Sequence, residues 1–173
     1  MTGVQTCALP ICFPVTIDGV VGARLLGLGC YGKGIDIVQE LVDKAKKHGL
    51  DAEQGSVEDL SRFKDETFDV VICSEVLEHL YDPMIAIKEA YRVLKKGGKY
   101  IVTVPHPDSE MSGDKLGDYH QINFSIEILD TLFHNVFERG KVTVTGIPYL
   151  AEYCKSVNIK EGTLAWIGLE SIK

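Results

Sequence analysis

A chain of 173 residues has the length of one ordinary domain, and 45% hydrophobic with 25% charged residues is the balance of a folded globular protein, which excludes disorder, collagen-like repeats and coiled coil. No apolar run approaches the roughly 18 residues that span a bilayer. A formal charge of −7, with lysines dispersed at Lys44, Lys46 and Lys47 and again at Lys95 and Lys96, argues against nucleic acid as partner, and five cysteines without a CxxC pair suit reduced thiols in a cytoplasmic protein better than disulfides or a zinc site.

Residues 1–11, MTGVQTCALPI, resemble the in-frame translation of a sequencing-adaptor oligonucleotide. Residues 1–12 are therefore expected to be an artefactual leader, the alternative being a natural disordered one, and residues 13–173 a domain incomplete at its N-terminus. A secretory reading fails because no Lys or Arg precedes Arg24. From Asp18 onwards, apolar extended runs alternate with helical periodicity, the pattern of βαβ units and a parallel sheet. A short helix is expected over 20–28 and a strand over 33–37. Val38, Leu41, Val42 and Ala45 then fall at helical spacing, with Asp43 and the lysines opposite, and Gly49 stops that helix. Residues 50–54 read as extended and 61–67 as a polar loop. FDVVIC, residues 68–73, reads as a strand buried on both faces. Asp82 and Pro83 open a helix whose stripe is Ile87, Ala90, Tyr91 and Leu94, stopped by the Lys-Lys-Gly-Gly of 95–98. A strand over 99–104 ends at Pro105, and a long polar loop follows over 106–121. Ser125 caps a helix through Phe133. Residues 142–147 and 163–172 read as two final strands, an antiparallel pair at the sheet edge.

Four segments carry the chemistry: GIDI (34–37), GSVEDL (55–60), FDVVICSEVLEHLYDP (68–83) and EAYRVLKKGGKYIVTVP (89–105). In this order and spacing they resemble the class I S-adenosylmethionine-dependent methyltransferases, in their small-molecule, type 11-like group. HQINFS (120–125) is similar to this group as well. The resemblance implies an α/β fold, a Rossmann-like, mostly parallel sheet with an antiparallel C-terminal edge hairpin. It implies S-adenosyl-L-methionine as cofactor and methyl transfer to an O, N or C atom of a small-molecule acceptor, with no nucleic-acid or membrane partner. The family's glycine loop, roughly ExGCGxG, survives only as Asp18 and Gly19. These two are the expected cofactor contacts there, and the first strand is expected to be missing or damaged.

Open α/β sheets bind ligands at the carboxyl ends of their strands. Asp36 ends a strand, where a carboxylate can accept hydrogen bonds from both hydroxyls of a ribose. The resemblance assigns it that role; a helix cap is the alternative. Ile37 beside it would lie against the adenine. Ser56 and Val57 stand where the family usually has an acidic residue near the adenine amino group; Ser56 departs from that pattern, and an ordinary polar turn is the other reading. Ser74 and Glu75 leave the fourth strand toward the methionine part, with Cys73 before them as a small buried hydrophobe.

Methyl transfer asks for alignment, a dry cavity and, for a hydroxyl acceptor, a base. The candidate bases are His79, on a helix after the fourth strand, His106, which begins the next loop, and His120 at its far end. Each reads equally as a histidine hydrogen-bonded in a loop or cap, and Glu78 equally as a solvated helix residue. His48 and His134 read as surface or helix-end residues, and no metal ligand set is expected. A competing fingerprint is Gly27-x-Gly29-x-x-Gly32, with a helix after Lys33 and Asp51 or Glu53 as the acidic partner, which would make the chain an NAD(P)-dependent Rossmann oxidoreductase. A third reading is a non-catalytic methyltransferase-like binding domain.

Overall fold

The computed structural model describes residues 10–14, 31–107, 120–138, 141–148 and 164–173. Asp18, Gly19, the helix expected over 20–28 and most of the 106–121 loop lie outside them. Seven strands form one mixed sheet: β1 (Pro10–Pro14), β2 (Tyr31–Asp36), β3 (Asp51–Gln54), β4 (Phe68–Ser74), β5 (Leu94–Pro105), β6 (Val142–Pro148) and β7 (Leu164–Ile172). Their spatial order is β3-β2-β1-β4-β5-β7-β6. The first five are parallel to one another, and β7 runs antiparallel between β5 and β6, as the C-terminal pattern predicted. Among the described residues the helices are α1 (Gln39–Lys47), α2 (Pro83–Val93) and α3 (Ile126–His134), with a 3₁₀ turn at Leu77–His79.

A strand is present where the sequence led us to expect it missing or damaged. Between β2 and β4 a parallel sheet offers two open ladders, and the extended run PICFP fills that slot, pairing with Tyr31 to Ile35 on one side and with Val70 and Val71 on the other. The boundary expected at residue 12 therefore falls inside β1. The dinucleotide reading fails at the same place. Gly32 and Lys33 lie within β2, so the third glycine does not open the helix that fingerprint requires.

β4, expected to be buried on both faces, is buried on one and half-buried on the other. Val71 and Cys73 join the larger core with α2, α3 and β5. Val70 and Ile72 face the other way, onto Val42, Ala45, Leu50 and Ala52 of the α1 layer. Val38, expected in the α1 stripe, is instead exposed at the helix N-cap, where its carbonyl accepts from the amides of Leu41 and Val42. Gly49 stops α1 at φ +82°, a conformation glycine adopts without strain.

Asp82 caps α2 by accepting from the Met84 amide at 3.0 Å, with Pro83 in the first turn. The helix ends one residue earlier than its stripe predicted. The amides of Glu66 and Thr67 donate to the carbonyls of Arg92 and Val93, and Leu94 turns away as the fully buried start of β5. Leu94 pairs with Phe68, but Lys99 is the next residue in register, opposite Val70, so residues 95–98 form a bulge. Arg92 organises the polar loop before β4. Its guanidinium donates to both Glu89 carboxylate oxygens, to Asp65 and to the carbonyls of Leu60 and Phe63, all at 2.8 to 2.9 Å.

Candidate functional site

Parallel pairing brings the carboxyl ends of β2, β3, β4 and β5 to one edge, with Asp36 opposite Gln54 and Ser74 opposite Thr103. At the end of β2, Asp36 is half-buried and its Oδ1 accepts from the Val38 amide at 2.8 Å. Burial raises its pKa above the ordinary carboxylate value, and the Val38 hydrogen bond opposes that rise. Beside it Ile37 is 69% exposed and Val38 is exposed too. An acceptor oxygen flanked by bare apolar side chains suits a ligand with one hydroxylated and one flat apolar part, as a nucleoside has.

The neighbouring loop is tied to this strand end. The Gly55 amide donates to the Asp36 carbonyl at 2.9 Å, and the Gln54 side chain donates to the Ile37 carbonyl at 2.9 Å. Ser56 Oγ accepts from the Glu58 amide at 3.0 Å, which favours the polar-turn reading for that side chain, and Val57 packs half-buried on the main core.

At the end of β4, Cys73 is buried in the core, as its small-hydrophobe reading held. Ser74 Oγ lies 2.7 Å from Thr103 Oγ1, whose hydroxyl donates to Glu75 Oε1 at 2.8 Å, while the Glu75 amide donates to the Thr103 carbonyl at 2.9 Å. Glu75 sits at φ +54°, a strained conformation for a side chain with a Cβ, of the kind that collects at functional sites. Sequence reasoning missed Thr103. Its one signal was a hydroxyl within the otherwise apolar run YIVTVP.

The two histidines at the ends of the predicted loop and turn are brought together. The His79 and His120 rings meet edge to face, with centroids 4.9 Å apart. His79 stands on the short 3₁₀ turn rather than on a helix. His106 follows β5 at the same edge and does not join this ring pair. His48 is an exposed cap of α1, and His134 ends α3 with its Nδ1 2.8 Å from the Asp130 carbonyl, so both stand where the sequence placed them. Burial, and then the charge of His79, lower the pKa of His120.

Glu78 overturns its expectation. It is 2% exposed rather than solvated, because the 3₁₀ turn directs it inward and the segment after His120 closes over it: the amides of Gln121 and Ile122 donate to its carbonyl at 2.7 and 3.2 Å. Desolvation first, and then the charge of Glu75, push its carboxyl up to about 8.

A mixed α/β sheet whose parallel strands carry titratable groups at their carboxyl ends defines the class: a Rossmann-like fold. Residues 19–102 match the family described as a methyltransferase domain. An uncharacterised protein of Methanocaldococcus jannaschii is 36% identical over 151 residues, covering 79% of this chain and 73% of that protein. A ubiquinone biosynthesis O-methyltransferase of Xanthomonas oryzae is 37% identical over 116 residues, covering 52% of this chain and 48% of that one, so the chain spans about half the length of that curated relative. Among solved structures, an S-adenosylmethionine-dependent methyltransferase of Archaeoglobus fulgidus superposes with a TM-score of 0.78 at 16% identity, covering 97% of this chain and 87% of that one. One of Thermotoga maritima does so at 0.74 and 24%, covering 98% and 87%. The chain belongs to the class I S-adenosylmethionine-dependent methyltransferases.

Proposed function

We propose that this chain transfers a methyl group from S-adenosyl-L-methionine to an O, N or C atom of a small-molecule acceptor. The observation that carries the reading is Asp36: a half-buried carboxylate at the end of β2, one oxygen fixed by the Val38 amide, beside exposed Ile37 and Val38. The name of the Xanthomonas oryzae relative supports oxygen as the acceptor atom.

When bound, S-adenosylmethionine supplies a methyl group on a sulfonium, which departs as a neutral thioether. The chain has to bind, align and manage a proton. Asp36 would accept from the ribose hydroxyls, Ile37 would lie on the adenine, and Ser56 and Val57 would frame it. Ser74 and Glu75 would meet the methionine part, and Asp18 and Gly19 its carboxylate side. For a hydroxyl acceptor, a neutral imidazole is the group suited to take the proton as the new bond to carbon forms. His79, His106 and His120 are the candidates the sequence offers for that role. Acceptor specificity is a separate property of the surrounding loops.

The test is calorimetric titration of S-adenosylhomocysteine and of NADH into the chain. Binding of the former and not the latter, weakened in Asp36→Ala, sustains the reading. Nucleoside binding without methyl transfer from S-adenosylmethionine to any acceptor would leave a binding domain. NADH binding in place of S-adenosylhomocysteine would overturn the assignment.

A further inference from the structure

We propose that Glu78, His79 and His120 bind a divalent transition-metal cation at the carboxyl edge of the sheet. Each offers one ligand atom, and the three atoms all lie within 4.8 Å of one another. The chain reaches this arrangement from two separate elements, the 3₁₀ turn after β4 and the segment leading to α3, which the Gln121 and Ile122 amides lock together at the Glu78 carbonyl. Spacing along the sequence hides it.

A second observation points to a ligand independently. Glu78 Oε2 is buried and, among the described residues, has no hydrogen-bond partner. A buried carboxylate oxygen without a donor costs folding free energy that a partner would restore. Among the described residues no Lys or Arg is paired with Glu78. The nearest cationic candidate is the His79 ring, whose Nε2 is 3.9 Å from Oε1 and outside hydrogen-bond range. The Glu75 carboxylate adds a negative charge close to the same spot, so the field there favours a cation.

The donor set selects its chemistry. Two imidazoles with one carboxylate suit zinc, cobalt(II) or iron(II) and leave coordination positions open, whereas magnesium and calcium prefer all-oxygen sets. Metal–ligand bonds of about 2.0 to 2.2 Å place ligand atoms roughly 3.4 Å apart, so the three groups would close on the ion by about an ångström. The His79 side chain, 44% exposed, is the least buried of the three. The use of the open positions rests on the methyltransferase reading: an acceptor hydroxyl bound there would become more acidic. Cation binding itself does not depend on that reading.

The test uses the chelator-treated chain. Zinc is titrated calorimetrically, and cobalt(II) is added while the imidazole proton resonances are followed. One saturable zinc site is expected, weakened by at least about tenfold in Glu78→Gln and in His120→Gln, with the His79 and His120 resonances shifted by cobalt while those of His48 and His134 stay in place. The NMR readout needs no substitution, so it stands even if a variant folds poorly. Absence of saturable zinc binding, full-strength binding in both variants, or unshifted His79 and His120 resonances would each overturn the site. S-adenosylhomocysteine titrated into the same chain reports separately on the methyltransferase reading, so loss of one does not imply loss of the other.

Discussion

Asp36 holds the Val38 amide with one oxygen, the proposed ribose contact would use the carboxylate as well, and the two can be separated by substitution. Asn at this position retains a carbonyl for the Val38 amide but removes the charge, while Ala removes both. A hydrogen bond to a charged group is worth about 1.5 to 3 kcal/mol, so Asp36→Asn and Asp36→Ala should each weaken S-adenosylhomocysteine binding by roughly tenfold to a hundredfold. Only the Ala variant should also lose stability through the unsatisfied Val38 amide. Titration calorimetry with thermal unfolding of both variants checks this, and equal affinity in all three proteins would remove Asp36 from the site. Glu89 illustrates a charge with a structural task. Its hydrogen bonds from Arg92, and then the Leu60 amide, hold its carboxyl below the ordinary glutamate value. A carboxylate with a depressed folded-state pKa stabilises the fold above its unfolded value, near 4.5, and that contribution disappears as pH falls through the folded-state value. Glu89→Gln should therefore cost about 1 to 3 kcal/mol at pH 7, with the gap from the unmodified chain narrowing below pH 4.5 in urea titrations. A pH-independent gap would place the cost elsewhere.

Between α2 and β5 the chain passes from helix to strand without a linker, and the bulge over 95–98 absorbs the mismatch. A Cβ on Gly98 would stand 2.8 Å from the Lys95 carbonyl oxygen and 3.0 Å from that of Asp69, both backbone atoms, whereas Gly97 at φ +77° has open space around it. Gly98→Ala must shift the strand, at roughly 1 to 3 kcal/mol, while Gly97→Ala pays only the left-handed conformation, about 1 kcal/mol. For a chain of this size 1 kcal/mol moves Tm by roughly 2 to 4 °C, so Gly98→Ala should melt several degrees below Gly97→Ala; the reverse order would mean the bulge is softer than its contacts imply. The sequence announced this region as a helix stop but not as a bulge, because register depends on where Phe68 and Val70 sit across the sheet. The same division holds elsewhere. Periodicity and caps made α1, α2, β4 and the antiparallel β6–β7 pair legible, since local sequence determines them, and Asp36 was legible because it ends a recognisable strand. The inward turn of Glu78 and the meeting of His79 with His120 depend on how two distant segments close on each other, which no local pattern encodes. β1 was missed because what makes PICFP a strand is the slot between its neighbours.

Two halves of the sheet meet at that slot. On one side β2, β3 and α1 form most of the smaller core, onto which Val70 and Ile72 of β4 also pack; on the other β4, β5, β7 and β6 carry the larger one with α2 and α3, which Ile35 of β2 joins. β1 joins them, with five register pairs to β2 and only two to β4. The proposed nucleoside site crosses the same divide, with Asp36 and Ile37 on the β2 side and Ser74 and Glu75 on the β4 side. A ligand held by both sides is a second tie between the halves and stabilises the folded chain by mass action, about 2.7 kcal/mol at a hundredfold excess over Kd. S-adenosylhomocysteine at that excess should raise Tm by roughly 5 to 11 °C. Hydrogen exchange should slow most in β2, β3 and α1, whose attachment through β1 is the weaker, and least in β7 and β6, which lie far from the divide. Asp36→Ala, measured at the same ligand concentration, should lose most of both effects. Uniform protection across the sheet would show instead that the two halves open together, and that β1 holds them more firmly than its two register pairs with β4 suggest.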